Sequence, residues 1–220
     1  MWALQTFPAQ PDASLRASDI LPNHVFESVR PRLRALVQEL RRRRRHRIGP
    51  TCTILFENRE TVLWQIQEVL RVENRFEPRH VAEELARYEP LVPRRGELRA
   101  TVLVDGGQPE QSDALCDKLG TDPTTLELRV GDRRCFAECV DDDPHVCSPV
   151  RYVCFDLACC GIQPDELANR PAELVMRALC IRIEAIPQDM RRALATDLHM
   201  SGYRFGPPRS RRFPKDVLAP

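Results

Sequence analysis

The residue best suited to acid–base chemistry is Glu73, in a helix predicted over residues 59–75. At about 100° per residue, Glu73 projects between Val62 and Ile66, inside an otherwise apolar stripe. A carboxylate in a protein core must be protonated or partnered. Glu73 therefore has one functional and two structural interpretations. It could be a general base or ligand-binding group of an enzyme. Alternatively, it forms an ion pair with an arginine from another element, or it belongs to a helix end outside the core. Because arginine is abundant, the two structural interpretations are favoured.

A second set of chemistry-bearing residues lies in the second half of the chain: Cys135, Cys139, His145 and Cys147. Zinc needs four ligands about 2.0–2.3 Å from one point. The sequence "RRCFAECV" predicts a strand, in which Cys135 and Cys139 are separated by about 13 Å, too far for one tetrahedral ion. We therefore predict no metal and no cofactor, and we interpret these cysteines as small buried hydrophobic residues.

The adjacent cysteines Cys159 and Cys160 are predicted to lie in a loop before Gly161. Exposed thiols react more readily than buried ones. Cys159 and Cys160 are therefore the candidates for redox chemistry, and ordinary reduced thiols are the alternative.

The stretch "RRRRRHR", residues 41–47, places positive charge at the end of the first predicted helix. Consecutive helical residues point all around a helix, so they form one patch only if the helix ends within the run. Few aromatic residues lie nearby for base stacking, and the pI of about 7.6 is not typical of a nucleic-acid-binding domain. A solvated helix end or a docking patch for an acidic protein partner is favoured over nucleic-acid binding. The candidate partner-binding residues are Arg41, Arg42, Arg43, Arg44 and Arg45.

The usual catalytic signatures are missing from the sequence. It contains no Gly-rich phosphate loop, no G-x-S-x-G and no H-E-x-x-H. We therefore lean towards a protein that is not an enzyme, with an enzyme using a carboxylate site around Glu73 as the alternative.

The elements that position these residues follow a simple order, with helices mainly first and strands mainly last. This order predicts an α+β fold with a mainly antiparallel sheet of about five to seven strands, an N-terminal helix, a helical hairpin and a C-terminal helix. In the strand "TCTILFE", Cys52, Ile54 and Phe56 share one face. Asn58 is a good N-cap for the helix that follows. Trp64 faces the polar side of that helix and is predicted to be buried between the sheet and the first helix.

Length and composition predict one domain. The chain has 220 residues and 42% hydrophobic residues, and we expect a flexible arm at 1–18, a domain at 19–199 and a Pro- and Arg-rich tail at 200–220. No apolar run approaches the roughly 18 residues of a membrane span, and the start lacks the pattern of a secretory signal. Because no export signal is recognised, we expect the nine cysteines to be reduced thiols and the location to be cytoplasmic.

The stretch from the arginine run through "FENRETVLWQIQEVLRVEN" to "ELRATVLVD" resembles the core block of an uncharacterised bacterial family, a domain of unknown function. The resemblance loosely covers residues 19–199. It assigns no activity, and it implies an accessory role beside a redox enzyme, possible partners being rubrerythrin-like proteins or iron–sulfur oxidoreductases. The polar motif residues without a known role are Glu57, Asn58, Thr61, Gln65, Gln67 and Glu68.

Overall fold

A computed structural model describes residues 14–105, 108–140, 148–178 and 181–200. These residues form six α-helices and eight β-strands, which confirms the predicted α+β class. The helices are α1 Asn23–Arg42, α2 Arg59–Glu73, α3 Pro78–Tyr88, α4 Pro109–Thr121, α5 Pro164–Asn169 and α6 Gln188–Met200. The strands are β1 Arg45–Ile48, β2 Cys52–Glu57, β3 Glu97–Val104, β4 Leu126–Val130, β5 Arg133–Cys139, β6 Val150–Asp156, β7 Ala172–Met176 and β8 Arg182–Ala185.

All eight strands belong to one antiparallel sheet in the order β1-β2-β3-β6-β5-β4-β7-β8. The sheet curls until β1 and β8 lie side by side, and the backbone N–H of Gly49 donates to Glu184 Oε1 at 3.2 Å across this seam. The result is nearly a barrel. The predicted five to seven strands were too few, because the stretch predicted as one last strand contains both β7 and β8.

The core fills the inside of this barrel because inward and outward side chains alternate along every strand. Cys52, Ile54 and Phe56 share the inner face as predicted, and each is at most 1% exposed. Helices α4 and α6 add the apolar residues Leu115 and Leu194 to the same core.

The outer face of the barrel is covered on one side only. The apolar side of α2 packs with Tyr152 of β6 and with α3, and α1 packs on α2. Within the described residues, no helix makes extensive contact with the outer face of β4, β7 or β8. On this half of the sheet the outward side chains range from fully buried, as for Glu127 and Val175, to half-exposed, as for Ile183.

The predicted arm and tail fall largely outside the described residues, since the structure describes nothing before residue 14 or after residue 200. Within the predicted arm, Leu15 packs against the apolar cluster of α2 and α3. No helix in the described part of the chain is long and apolar enough to cross a bilayer.

Candidate functional site

Glu73 is exposed at the end of α2, not buried in its apolar stripe. Its side chain is 43% exposed, and its carboxylate lies 3.4 Å from Arg75 Nη1. The preceding residue, Val72, is 70% exposed, so the last turn of α2 extends beyond the apolar contact. Of the interpretations of Glu73, the structure shows a helix end outside the core. The alternative of a carboxylate site around Glu73 would need a buried carboxylate, and that of Glu73 is exposed.

The buried carboxylate of this region is instead Glu57, which ends β2 on the outer face beneath α2 and is 2% exposed. Three neutral side chains donate hydrogen bonds to it. Thr61 Oγ1 lies 2.5 Å from Oε2, while Thr101 Oγ1 and Gln65 Nε2 lie 2.8 and 3.2 Å from Oε1. These bonds connect β2 to α2 and to β3.

Arg99 is the cross-strand Cα partner of Glu57, yet its guanidinium binds elsewhere. Its Nε and Nη2 donate to Glu97 Oε2 at 2.9 and 2.7 Å, and Nη1 donates to the carbonyl of Pro90 at 2.6 Å. Among the described residues, no lysine or arginine nitrogen lies within ion-pair distance of the Glu57 carboxylate. Glu57 is thus a buried structural residue that connects β2, β3 and α2, and its carboxylate is accessible neither to solvent nor to a ligand.

Asn58 caps α2 and also connects two distant parts of the chain. Its Oδ1 accepts from the backbone N–H of Thr61 at 3.0 Å, as the sequence predicted. Its Nδ2 donates to Asp197 Oδ1 at 3.3 Å. Asp197 also receives Arg44 Nε and Nη2 at 2.8 and 2.7 Å, so the end of α1, the start of α2 and α6 meet at one polar junction.

The remaining polar motif residues also have structural partners. Gln67, 3% exposed, accepts from the backbone N–H of Leu21 at 2.9 Å and donates to its carbonyl at 3.0 Å. Glu68 accepts two hydrogen bonds from Arg30 at 2.7 and 3.0 Å, which fixes α1 on α2. These polar residues therefore build the contacts of α2 and do not converge on a pocket.

Trp64 is buried as predicted. It is 8% exposed, and its ring centroid lies 5.5 Å from that of Phe26 of α1 with an interplanar angle of 56°. The aromatic pair explains why the polar side of α2 carries a tryptophan, since α1 covers that side.

The arginine run does not form one exposed patch. Arg44 is 4% exposed and bound to Asp197, so its inclusion in the predicted partner surface is wrong. Arg42 and Arg43 both bind Glu39, at 2.8 Å each, and these hydrogen bonds lower the pKa of Glu39 to about 2. Partner binding by the other arginines, Arg41, Arg42, Arg43 and Arg45, stays a prediction.

A denser arginine cluster lies on the uncovered outer face of the sheet, around Glu127 of β4. Arg134 Nε and Nη2 donate to Glu127 at 2.5 and 3.2 Å, and Arg129 Nε and Nη2 donate to it at 2.9 and 3.4 Å. Arg177, which follows β7, forms a third ion pair with the same carboxylate. Three guanidinium groups therefore share one carboxylate.

The electrostatics of this cluster keep Glu127 ionised. Burial alone would raise the pKa of Glu127, but hydrogen bonds from Arg134, Arg129 and Arg177 lower it to about 2. The Glu127 side chain is 0% exposed, whereas those of Arg129, Arg134 and Arg177 are 31%, 44% and 24% exposed. Positive charge therefore lies outermost.

Glu173 is a further acid beside the cluster, since it is the Cα partner of Arg129 across the β4–β7 pair. Its half-buried carboxylate forms no ion pair with any described residue. Counting it, three arginines face two carboxylates, so the cluster retains a positive excess.

Apolar side chains border the cluster. Phe136 of β5 lies beneath Arg134, with the guanidinium carbon 5.3 Å from the ring centroid. Ile183 of β8 is 51% exposed and pairs across the strands with Val175, which lies on β7 between Glu173 and Arg177. We call this surface the arginine face and define it as Arg129, Arg134, Arg177, Phe136 and Ile183.

Cys135 and Cys139 lie on β5, and Cys159 and Cys160 lie in the turn after β6, as the sequence predicted. Cys160 is half-buried, and a hydrogen bond with the fully buried Cys135 lowers the pKa of Cys160. A redox role for Cys159 and Cys160 stays a prediction. His145 and Cys147 lie outside the described residues, and within the described part of the chain no group of three or more His, Cys, Asp or Glu side chains could hold a metal ion.

The sequence carries one signal of the arginine face. In "TLELRV", charged residues alternate with apolar ones, which places Glu127 and Arg129 on one side of β4, and in "RRCFAE" the small residues Cys135 and Ala137 share one side of β5, which leaves Arg134 and Phe136 on the other. Their convergence depends on the strand register, which the alternation alone does not give.

Comparisons with known proteins identify relatives without an assigned function. The family model described as "Protein of unknown function (DUF3501)" matches residues 14–198. A crystal structure of a novel protein of unknown function from Burkholderia pseudomallei K96243 is similar, with a TM-score of 0.73 and 26% sequence identity over 84% of this chain and 99% of that chain. No curated protein matches the chain.

Proposed function

The chain belongs to the DUF3501 family of proteins of unknown function, and we propose that it is a binding protein whose arginine face docks an acidic segment of a protein partner. The proposal rests on one observation: three arginines share one buried carboxylate on a sheet face that no described helix covers.

The placement of the arginines supports docking over a purely structural role. Arg129 and Arg134 are direct Cα partners across the β4–β5 pair, and like charges directly opposite each other destabilise a sheet. Glu127 offsets only part of this repulsion. A local arrangement that opposes stability is expected at functional sites, and an acidic group bound outside would neutralise the remaining charge.

The apolar border suits a protein segment better than a free ion. Exposed isoleucine beside arginine and phenylalanine combines the residue types of interface centres. Arg134 is held in place by stacking on Phe136, so less side-chain entropy is lost when it binds a carboxylate. The occupant we propose is therefore a segment with acidic side chains and at least one apolar side chain.

The identity of the partner is a separate proposal. The family resemblance motivates a redox or electron-transfer enzyme, such as an iron–sulfur oxidoreductase or a rubrerythrin-like protein. The arginine face is compatible with any partner that carries an acidic segment, so the redox proposal rests on the resemblance alone.

The test uses a fluorescein-labelled peptide of about twelve residues that alternates Glu and Leu, with its Gln-for-Glu analogue as the uncharged probe. Binding is followed by fluorescence anisotropy at 50 and 300 mM salt. We expect the acidic peptide to bind more tightly than its analogue and more weakly at high salt, because salt screens exposed charges.

Two substitutions with opposite predicted effects separate docking from damage to the fold. Arg134→Gln removes one positive charge, and we expect affinity to fall about threefold. Glu127→Gln removes the negative charge, and we expect affinity to rise in protein that circular dichroism shows to be folded. Arg32→Gln, an exposed site on α1, is the charge-matched control for Arg134→Gln. Equal binding by all three variants, or weaker binding by both face variants, would contradict the proposal.

A further inference from the structure

A cavity of about 430 Å³ opens beside the seam of the barrel, and none of the five residues of the arginine face lines it. It lies between the β1–β2 hairpin, α4 and the segment that follows β7. From its lining, we infer that it is a binding site for a small amphipathic anion, a molecule with an unbranched apolar body and a carboxylate at one end.

The floor of the cavity is apolar and belongs to the barrel core. Ile48, Cys52, Leu115 and Met176 line it and are at most 4% exposed. Burial raises the pKa of the Cys52 thiol to about 12, so that this side chain is also uncharged at neutral pH. Such a floor favours a hydrocarbon body, and the volume lies within the range of about 300–1,000 Å³ usual for small-molecule pockets.

The rim of the cavity carries one cation, Arg182 of β8. Its aliphatic stem lies over Gly49, whose φ is +62°. Its guanidinium forms no hydrogen bond or ion pair with a described residue, while the nearby Glu184 accepts from the backbone N–H of Gly49. A guanidinium without a partner among the described residues, above an apolar floor, matches a ligand that is apolar at one end and carries a carboxylate at the other.

The walls are held in place by the fold. The Lys118 ammonium group of α4 donates to the backbone carbonyl of Ala178 at 2.9 Å, which fixes the segment after β7 against α4. Ala178 and Leu115 both line the cavity, so the Lys118 hydrogen bond connects two of its walls.

The test is isothermal titration calorimetry with hexanoate, octanoate and decanoate at neutral pH. We expect affinity to rise about fourfold for each methylene group added, because burial of one methylene contributes about that factor. Decyltrimethylammonium has an apolar chain that is one carbon longer and the opposite charge, and we expect it to bind at least tenfold more weakly than decanoate.

Three variants locate the binding. We expect Arg182→Gln to weaken decanoate binding about fivefold, the upper range for an exposed ion pair. Ala178→Trp should fill the cavity and remove binding, and Arg192→Gln, an exposed arginine on α6, should leave it unchanged. Circular dichroism spectra of the three variants serve as the control for correct folding. The inference is overturned if no carboxylate binds, if decyltrimethylammonium binds as tightly as decanoate, or if folded Ala178→Trp binds like the unmodified protein.

Discussion

The structural role of Glu57 can be tested by removing one of the side chains that donate a hydrogen bond to its carboxylate. Thr101→Val replaces a hydroxyl by a methyl group of similar size, so it deletes the 2.8 Å hydrogen bond to Glu57 Oε1 without opening a large cavity. The buried carboxylate then keeps only the hydrogen bonds from Thr61 and Gln65.

The expected loss of stability follows from the type of hydrogen bond that Thr101→Val removes. A hydrogen bond to a charged group contributes about 1.5–3 kcal/mol, and a buried acceptor that loses its donor is not compensated by water. We therefore expect Thr101→Val to lower the free energy of unfolding by about 2 kcal/mol. For a domain of this size that corresponds to a fall in Tm of about 4–8 °C.

The assay is urea unfolding followed by circular dichroism and tryptophan fluorescence. Thr196→Val is the matched control, because its exposed hydroxyl donates only to the carbonyl of Arg192 in the same helix, and we expect a change below about 0.5 kcal/mol. A double-mutant cycle with Glu57→Gln should give a coupling energy of at least about 1 kcal/mol. If Thr101→Val is as stable as the control and the coupling is zero, the structural account of the motif is wrong.

The ion pairs of Glu127 predict acid sensitivity: since its pKa falls from 4.5 to about 2 on folding, its stabilisation is complete above about pH 5 and is lost as pH falls towards 2. Urea unfolding at pH 5.5 and pH 3 should show a loss that is smaller in Glu127→Gln, and an equal loss would contradict the ion pairs. Cys160, whose pKa is lowered by its hydrogen bond with Cys135, should react with iodoacetamide before Cys52, whose pKa burial raises to about 12; peptide mass spectrometry that finds the reverse order would refute this. Arg44→Gln should cost about 3 kcal/mol, because it leaves a mostly buried carboxylate of α6 with one weak donor, and thermal unfolding within 1 °C of the unmodified protein would contradict this role.

Features that depend on neighbouring residues in the chain could be predicted from the sequence. The inner face of β2 follows from strand alternation, and the cap at Asn58 follows from local hydrogen-bonding chemistry. The burial of Trp64 follows from the expectation that α2 packs between the sheet and α1, with a partner contact as the alternative. Each of these three features depends either on one helix or strand alone or on the packing of elements that are close together in the chain.

The errors came from contacts between distant parts of the chain. A helical projection gives the direction of Glu73 but not the point along α2 where the packing ends, so the sequence left open both a buried ion pair and the exposed helix end that the structure shows. Arg44 resembled its neighbours in the run, but its partner Asp197 is 153 residues away. The split between β7 and β8 was hidden by a continuous alternating pattern.

The arginine face shows the same limit. Glu127 and Arg129 are two residues apart on one strand, which the sequence displays directly. Arg134 and Arg177 join them only through the pairing of β4 with β5 and β7, and that register is a property of the whole sheet.

The most direct test of docking on the arginine face is NMR with arginine labelled with ¹⁵N, recording the side-chain Nε–Hε signals while the acidic Glu–Leu peptide is added. The account predicts that the signals of Arg129, Arg134 and Arg177 shift together and saturably. Shifts confined to Arg42 and Arg43 at the end of α1, with the sheet arginines unchanged, would contradict it.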